Sequence, residues 1–154
     1  MHVVFVEPRF PANQKNFIRA LAECGVAVSA IGEGSKDSLD QELRRWLTHY
    51  ESIQNVTNEQ QLFDAVRFIQ KHARVDRLEA TVEAHIMPAA HVREKAGIPG
   101  TTARTAVLCR DKPAMKDVLR AGRRLVRRVH RRRVGRGSAG IRRARRIPHH
   151  PQAS

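Results

Sequence analysis

The stretch HVVFVEPRFPANQKNFIRALAECGVAVSAIGEGS, residues 2–35, decides the fold. It opens with His2 to Val6, a valine-rich run without polar alternation, which is the pattern of a parallel strand covered on both faces. Glu7-Pro8-Arg9-Phe10-Pro11 ends that run, because two prolines interrupt the ladder. Asn13 stands where a helix N-cap belongs. Phe17, Ile18, Leu21 and Ala22 then recur at helical spacing, and Gly25 supplies the stop. Val26 to Ile31 is a second apolar strand, closed by the loop signal Gly32-Glu33-Gly34-Ser35. Strand, helix and strand at this length make a βαβ unit, whose two strands run parallel.

Outward from that unit the alternation continues. Asp37 to Trp46 predicts a short helix, and His49 to Val56 a strand around Tyr50 and Ile53. Asn58 caps the clearest helix of the chain, with Leu62, Ala65, Val66 and Ile69 on one stripe. Val75 to Glu83 predicts a loop leading to a short strand anchored by Leu78 and Val82. Ile86 to Lys95 is helical and stops at Gly97, and Ile98-Pro99-Gly100 is a turn. Thr101 or Thr102 caps a helix through Ala106, Val107 and Leu108. Lys112-Pro113 begins another, since proline is tolerated in a first helical turn, and Met115, Val118 and Leu119 give it an apolar face. The fold class is α/β: an open, mostly parallel sheet with helices on both faces.

Hydrophobic residues make up 41% of the 154, enough for one compact domain with its own core. The net charge of +14 points at first to a nucleic-acid binder. Its distribution points elsewhere. Twelve of the 29 basic residues, all arginine, lie from Arg123 to Ser154 with no acid among them, so Met1 to Gly122 holds 17 bases against 15 acids. The division is a near-neutral α/β domain over 1–122 and a basic tail over 123–154. The tail has no aromatic residue and no sustained periodicity. It buries too little apolar surface to offset its ordering entropy, so disorder is expected there. Leu125, Val126 and Val129 extend the preceding helix by a turn or two.

Cys24 and Cys109 stand far apart in no CxxC pair, which suits buried thiols in a reducing compartment. Val3 to Val6 is too short for a signal-peptide core. No apolar run approaches the ~20 residues of a membrane helix. A cytoplasmic location with no membrane partner is expected.

Candidate ligand groups gather at two places. Arg9, Asn13, Gln14 and Lys15 follow the carboxyl end of the first strand, where open α/β sheets bind ligands, and precede a helix N-terminus, a natural anion site. A solvated polar loop accounts for the same residues equally well. Asp111-Lys112 stands at another helix start, where Lys112 could reach a phosphate as a point charge. A capping aspartate beside a surface lysine also accounts for that pair. There is no GxGxxG and no P-loop, and Gly32-Glu33-Gly34 reads as a turn. His85 and His91 have the wrong spacing for two ligands on one helical face, so no metal site is expected. Glu79 and Glu83 would share a face in a helix, though a solvated charged face explains them as well. No Ser/His/Asp or Cys/His arrangement is present, and no catalytic residue is assigned.

One set of motifs resembles a known family. Val75-Asp76-Arg77-Leu78-Glu79-Ala80, Ile86-Met87-Pro88-Ala89-Ala90, Gly97-Ile98-Pro99-Gly100 and Arg110-Asp111-Lys112-Pro113-Ala114-Met115-Lys116 together are similar to ATP-grasp ligases of the biotin carboxylase and carbamoyl phosphate synthetase type. There a Rossmann-like preATP-grasp domain ends in a "GIPG … DK … MK" stretch. The resemblance covers about Met1 to Gly122. It implies that Lys112 contacts a nucleotide phosphate, and that Arg9 and Asn13 lie on the acceptor-substrate side. The intact family uses ATP and Mg²⁺ to activate a small-molecule acid for attack by an amine or thiol. Its next parts are an "AAGVP" stretch, a second ATP lysine, a glycine-rich flap and metal-holding carboxylates. After Gly122 arginines stand instead, a composition that GC-rich DNA read out of frame produces. The expectation is therefore a truncated ligase, inactive alone, with no cofactor bound tightly.

Two other functions remain open on the residues. The arginine tail would bind nucleic acid through phosphates without sequence preference, although it lacks stacking aromatics. A free-standing α/β module would instead bind a partner or ligand and expose the apolar face that a neighbouring domain would cover.

Overall fold

The computed structural model describes residues Met1–Gly122 and Arg124. The expected tail disorder and the helix extension through Leu125, Val126 and Val129 lie outside the described residues. Four strands, β1 (His2–Val6), β2 (Ala27–Glu33), β3 (His49–Ile53) and β4 (Arg77–Glu79), form one parallel sheet in the order β3-β2-β1-β4. Helix α1 (Gln14–Glu23) joins β1 to β2, α2 (Gln41–Trp46) joins β2 to β3, and α3 (Glu59–His72) joins β3 to β4. Helices α4 (Glu83–Ala96), α5 (Ala103–Arg110) and α6 (Lys112–Ala121) follow.

The valine run at the start is explained by cover on both sides. Val4, Val6, Ile31 and Leu78 pack with Leu62, Ala65, Val66 and Ile69 of α3 and with Ala89 and Val92 of α4. Phe5, Val28, Ala30 and Tyr50 face the other way, against Ile18 of α1 and Leu39 and Leu43 beside α2. Neighbouring residues of one strand thus feed two cores. The α/β sheet with helices on both faces is as expected, and in this structure every strand pair is parallel.

Several helix ends follow their sequence signals. The Asn58 side chain accepts from the backbone N–H groups of Gln60 and Gln61, Thr102 accepts from Thr105, and Asp111 accepts from Ala114. Gly97 ends α4 at φ 67°, a left-handed conformation open to glycine at little cost. The next residue, Ile98, returns its N–H to the Arg93 carbonyl.

Other expectations shift. Asn13 occupies the N-cap position of α1, but its side chain makes no capping bond. The second strand runs on through Glu33, because Gly32 and Glu33 pair with Ser52 and Ile53 of β3. The helix expected from Asp37 begins at Gln41, where Asp40 accepts from the Leu43 N–H, and a 3-10 turn fills Lys36–Ser38. Phe17 stays half exposed. On α1 the buried residues are Gln14 and Ile18, while Phe17 stacks on Phe5 at 6.4 Å. Cys24 and Cys109 are both exposed free thiols, not buried ones, and each lies at the C-terminal end of a helix. Among the described residues no helix is long and apolar enough to cross a membrane.

Helix α5 packs on α4, and α6 on α5. No residue of α6 is buried. Its apolar face of Met115, Val118 and Leu119 is present as the spacing predicts, but nothing among the described residues covers it fully.

Candidate functional site

The order β3-β2-β1-β4 sets where a ligand can sit. The chain leaves β1 toward β2 and β3, then returns to place β4 on the other side of β1, so the crevice at the carboxyl ends of β1 and β4 is the switch point of the sheet. Glu7 is the first residue past β1. Its φ of 51° turns the chain sharply, and its N–H still reaches the Ile31 carbonyl at 2.7 Å. This turn drives the Glu7 side chain inward, where it is 6% exposed.

A dense polar cluster surrounds it. Glu7 Oε2 accepts from the Glu33 N–H at 3.0 Å, and Glu7 Oε1 accepts from the Arg9 N–H at 3.3 Å. The Arg9 guanidinium donates to Ser38 Oγ at 2.7 Å and to the Glu33 carbonyl, while its Nε lies 3.6 Å from Glu7 Oε1. Glu33 Oε1 accepts from the Val56 N–H at 3.0 Å. The Tyr50 hydroxyl donates to the carbonyls of Glu33 and Gly34. Gly32 makes this closeness possible: a Cβ there would stand 2.9 Å from the Tyr50 hydroxyl and 3.0 Å from Pro8 Cδ.

Glu7, Arg9, Phe10, Glu33, Val56 and His85 line a cavity of about 320 Å³. His85 enters from the first turn of α4 and is 7% exposed, and its Nδ1 has no partner. Burial holds its imidazole below the ordinary pKa, against the opposing pull of the Glu7 and Glu33 carboxylates. Burial likewise raises the Tyr50 phenol, with Arg9 pulling the other way. Beside the cavity, Thr81 after β4 donates to the buried Gln14 of α1, tying the two sides of the switch point together.

Lys112 stands elsewhere. With Glu83, Met87, Val107, Arg110, Asp111 and Pro113 it lines an open groove of about 700 Å³. Its ammonium makes no hydrogen bond or ion pair among the described residues, whereas the neighbouring Arg110 holds Glu83 at 2.7 Å. Asp111 caps α6, so the capping reading of that residue and a free lysine beside it hold together. The cavity and the groove flank opposite sides of the start of α4: His85 faces one, and Glu83 and Met87 face the other.

The expected residues are thus only partly brought together. Arg9 lines the cavity. Asn13 is exposed at the start of α1, Gln14 is turned inward, and Lys15 pairs with Glu42 and Asp40. His91 pairs with Glu59 at 2.5 Å, remote from His85. Glu79 lies in β4 and Glu83 opens α4, so they share no helical face. No group of three His, Cys, Asp or Glu residues among the described residues could hold a metal ion. Sequence reasoning singles out neither Glu7 nor Glu33 and considers His85 only as a metal ligand paired with His91, although an acid directly after a buried strand is a usable signal for Glu7.

No protein-family model and no curated protein sequence matches the chain. Solved structures do. The crystal structure of phosphoribosylglycinamide synthetase from Anaerococcus prevotii superposes with a TM-score of 0.59 at 16% identity, covering 78% of this chain and 28% of that one. The crystal structure of L-amino acid ligase from Bacillus licheniformis gives a TM-score of 0.59 at 16% identity, covering 78% of this chain and 29% of that one. The open parallel α/β sheet with its helices is a fold shared with part of these two enzymes. The chain spans under a third of the length of either neighbour, and at this identity the likeness is one of fold. Within this fold, the cavity marks the sheet end of the domain, and the Lys112 groove marks its appended helices.

Proposed function

We propose that this chain is the front domain of an ATP-grasp ligase that joins a small-molecule acid to an amine or thiol, with ATP and Mg²⁺ used by the whole enzyme. The observation that carries this reading is the shared fold, together with an unpaired Lys112 beside the Asp111 cap at the start of α6. Lys112 is the group offered to a nucleotide phosphate, where a fixed cation stabilises transferring charge. Arg9 and Asn13 belong to the acceptor-substrate side. No step is assigned to Mg²⁺ on these residues, because they offer it no ligand set. The compartment is the cytoplasm.

One phosphate contact is too little for turnover or tight binding. The purified 154-residue chain should release no phosphate from ATP above the buffer rate. Phosphorus NMR with millimolar ATP should show weak broadening of the nucleotide signals, lost in Lys112→Ala. Broadening equal in wild type and variant would remove Lys112 from the reading, and steady turnover would overturn the inactivity.

A second reading attaches to composition. The twelve tail arginines support sequence-independent binding to nucleic acid.

A further inference from the structure

We propose that the pocket at the amino ends of β1, β2 and β3 binds a small neutral aromatic molecule that carries one O–H or N–H donor. Helix α3 runs back along the sheet between the parallel strands β3 and β4, so its last turn arrives where the strands begin. There Phe68, Ile69 and His72 meet the opening residues of the three strands around a pocket of about 520 Å³. That volume lies within the range of small-molecule sites. The pocket shares no residue with the cavity around Glu7 and His85 or with the Lys112 groove.

The lining selects against charge. Ala27, Ile69 and Ala73 supply apolar wall, and no acid, lysine or arginine is among the lining residues. A charged ligand would lose hydration there and meet no fixed counter-charge. Phe68 supplies the aromatic wall. It belongs to the helix that builds the main core, yet it lies outside that core and is 43% exposed. Its ring meets those of His49 at 6.1 Å and His72 at 4.9 Å. A flat aromatic body gains against such rings beyond its buried area.

The hydrogen bonds of the lining fix the polar group that the ligand brings. A carbonyl only accepts, so His2 Nδ1, 3.0 Å from the Arg74 carbonyl, carries the ring proton. Its Nε2 then accepts from the Ser29 hydroxyl at 2.8 Å. The Thr48 hydroxyl donates to the Val28 carbonyl at 3.0 Å. By the same rule His72 Nδ1 donates to the Phe68 carbonyl at 3.0 Å, and His49 Nε2 donates to the Glu51 carboxylate at 3.1 Å. With neutral imidazoles, every side-chain donor of the lining is engaged. His49 Nδ1 and His72 Nε2 make no hydrogen bond among the described residues, and both belong to rings that contact Phe68. The polar capacity left over is that of acceptors. A phenol or an indole, with one donor on a flat apolar body, is the fitting class.

The test involves neither ATP nor Lys112, so it can fail while the ligase reading stands, and the reverse. The full chain is titrated with 4-fluorophenol, 4-fluoroanisole and 4-fluorobenzoate and followed by ¹⁹F NMR at about pH 8, where imidazoles are neutral. Saturable binding of the phenol is expected, and no binding of the benzoate. The anisole, which lacks the O–H, should bind about three- to tenfold more weakly than the phenol. In the ¹⁵N-labelled chain, amide shifts with the phenol should gather at Ala27, Ser29, Phe68 and Ala73. Equal binding of phenol and anisole, any saturable binding of the benzoate, shifts confined to other residues, or no binding at all overturns the proposal. Phe68→Ala removes the aromatic wall at an exposed position and should weaken the phenol about tenfold or more. Unchanged affinity in that variant overturns the proposal, and the wild-type series decides the matter even where the variant fails to fold.

Discussion

At the scale of single residues, His85 is a buried imidazole whose surroundings disfavour its charged form. It is the third residue of a helix that begins over the cavity, which it lines together with the Glu7 and Glu33 carboxylates. Its folded pKa lies below the ordinary 6.5. Between those two values the unfolded chain binds more protons than the folded one, so stability is full above about 6.5 and falls as pH drops toward the folded pKa. Denaturant unfolding at pH 7.5 and 5.5 should show that loss in wild type and a smaller loss in His85→Gln. Equal losses would mean that the imidazole charges freely in the folded state. Spacing could not reveal this residue: His85 and His91 were weighed as a pair along the chain. His85 gains its meaning from Glu7 and Glu33, which the strand order brings from dozens of residues away. The start of α6 at Lys112 is the opposite case, since the signals that set it, Asp111 and Pro113, are local.

At the scale of elements, what was legible followed the range of the forces. Asn58, Thr102 and Asp111 were readable as caps because a cap is settled within three residues. The end of β2 was misplaced because a glycine beside an acid resembles a loop until a neighbouring strand supplies its ladder. The two cleanest caps should behave differently when removed. Asn58→Ala loosens α3, whose Leu62, Ala65, Val66 and Ile69 build the main core, so about 1 kcal/mol should be lost from global unfolding. Leu62→Ala in the same helix should cost about 2–5 kcal/mol, because its site is fully enclosed. Asp111→Ala acts on α6, which buries no residue. Its cost should appear as local fraying, measured as faster amide exchange from Ala114 to Leu119, with little change in the global midpoint. A global loss as large as that of Asn58→Ala would show that α6 is coupled to the core.

At the scale of the whole molecule, two kinds of charge share one chain. The domain of Met1 to Gly122 has 17 bases and 15 acids, and many of these are paired locally, as in Arg110–Glu83 and Lys15–Glu42. Such a surface carries no strong field. The remaining twelve positive charges are arginines over residues 123–154, with no acid to balance them. Nucleic-acid affinity should therefore belong to the tail and obey counterion release. If the tail engages six to ten phosphates, affinity for a 30-base-pair duplex should fall by about 10³–10⁵ between 50 and 200 mM salt. Unrelated duplexes should behave alike, since phosphates carry no sequence information. Replacing the twelve arginines with serine should abolish the binding. Fluorescence anisotropy across a salt series measures the slope. A shallow slope with tight binding at 200 mM, or a preference among duplexes, would move the weight of function from the α/β domain to the tail. Steep, indiscriminate loss would leave the domain as the seat of function, with the tail's charge an additive property of its arginines.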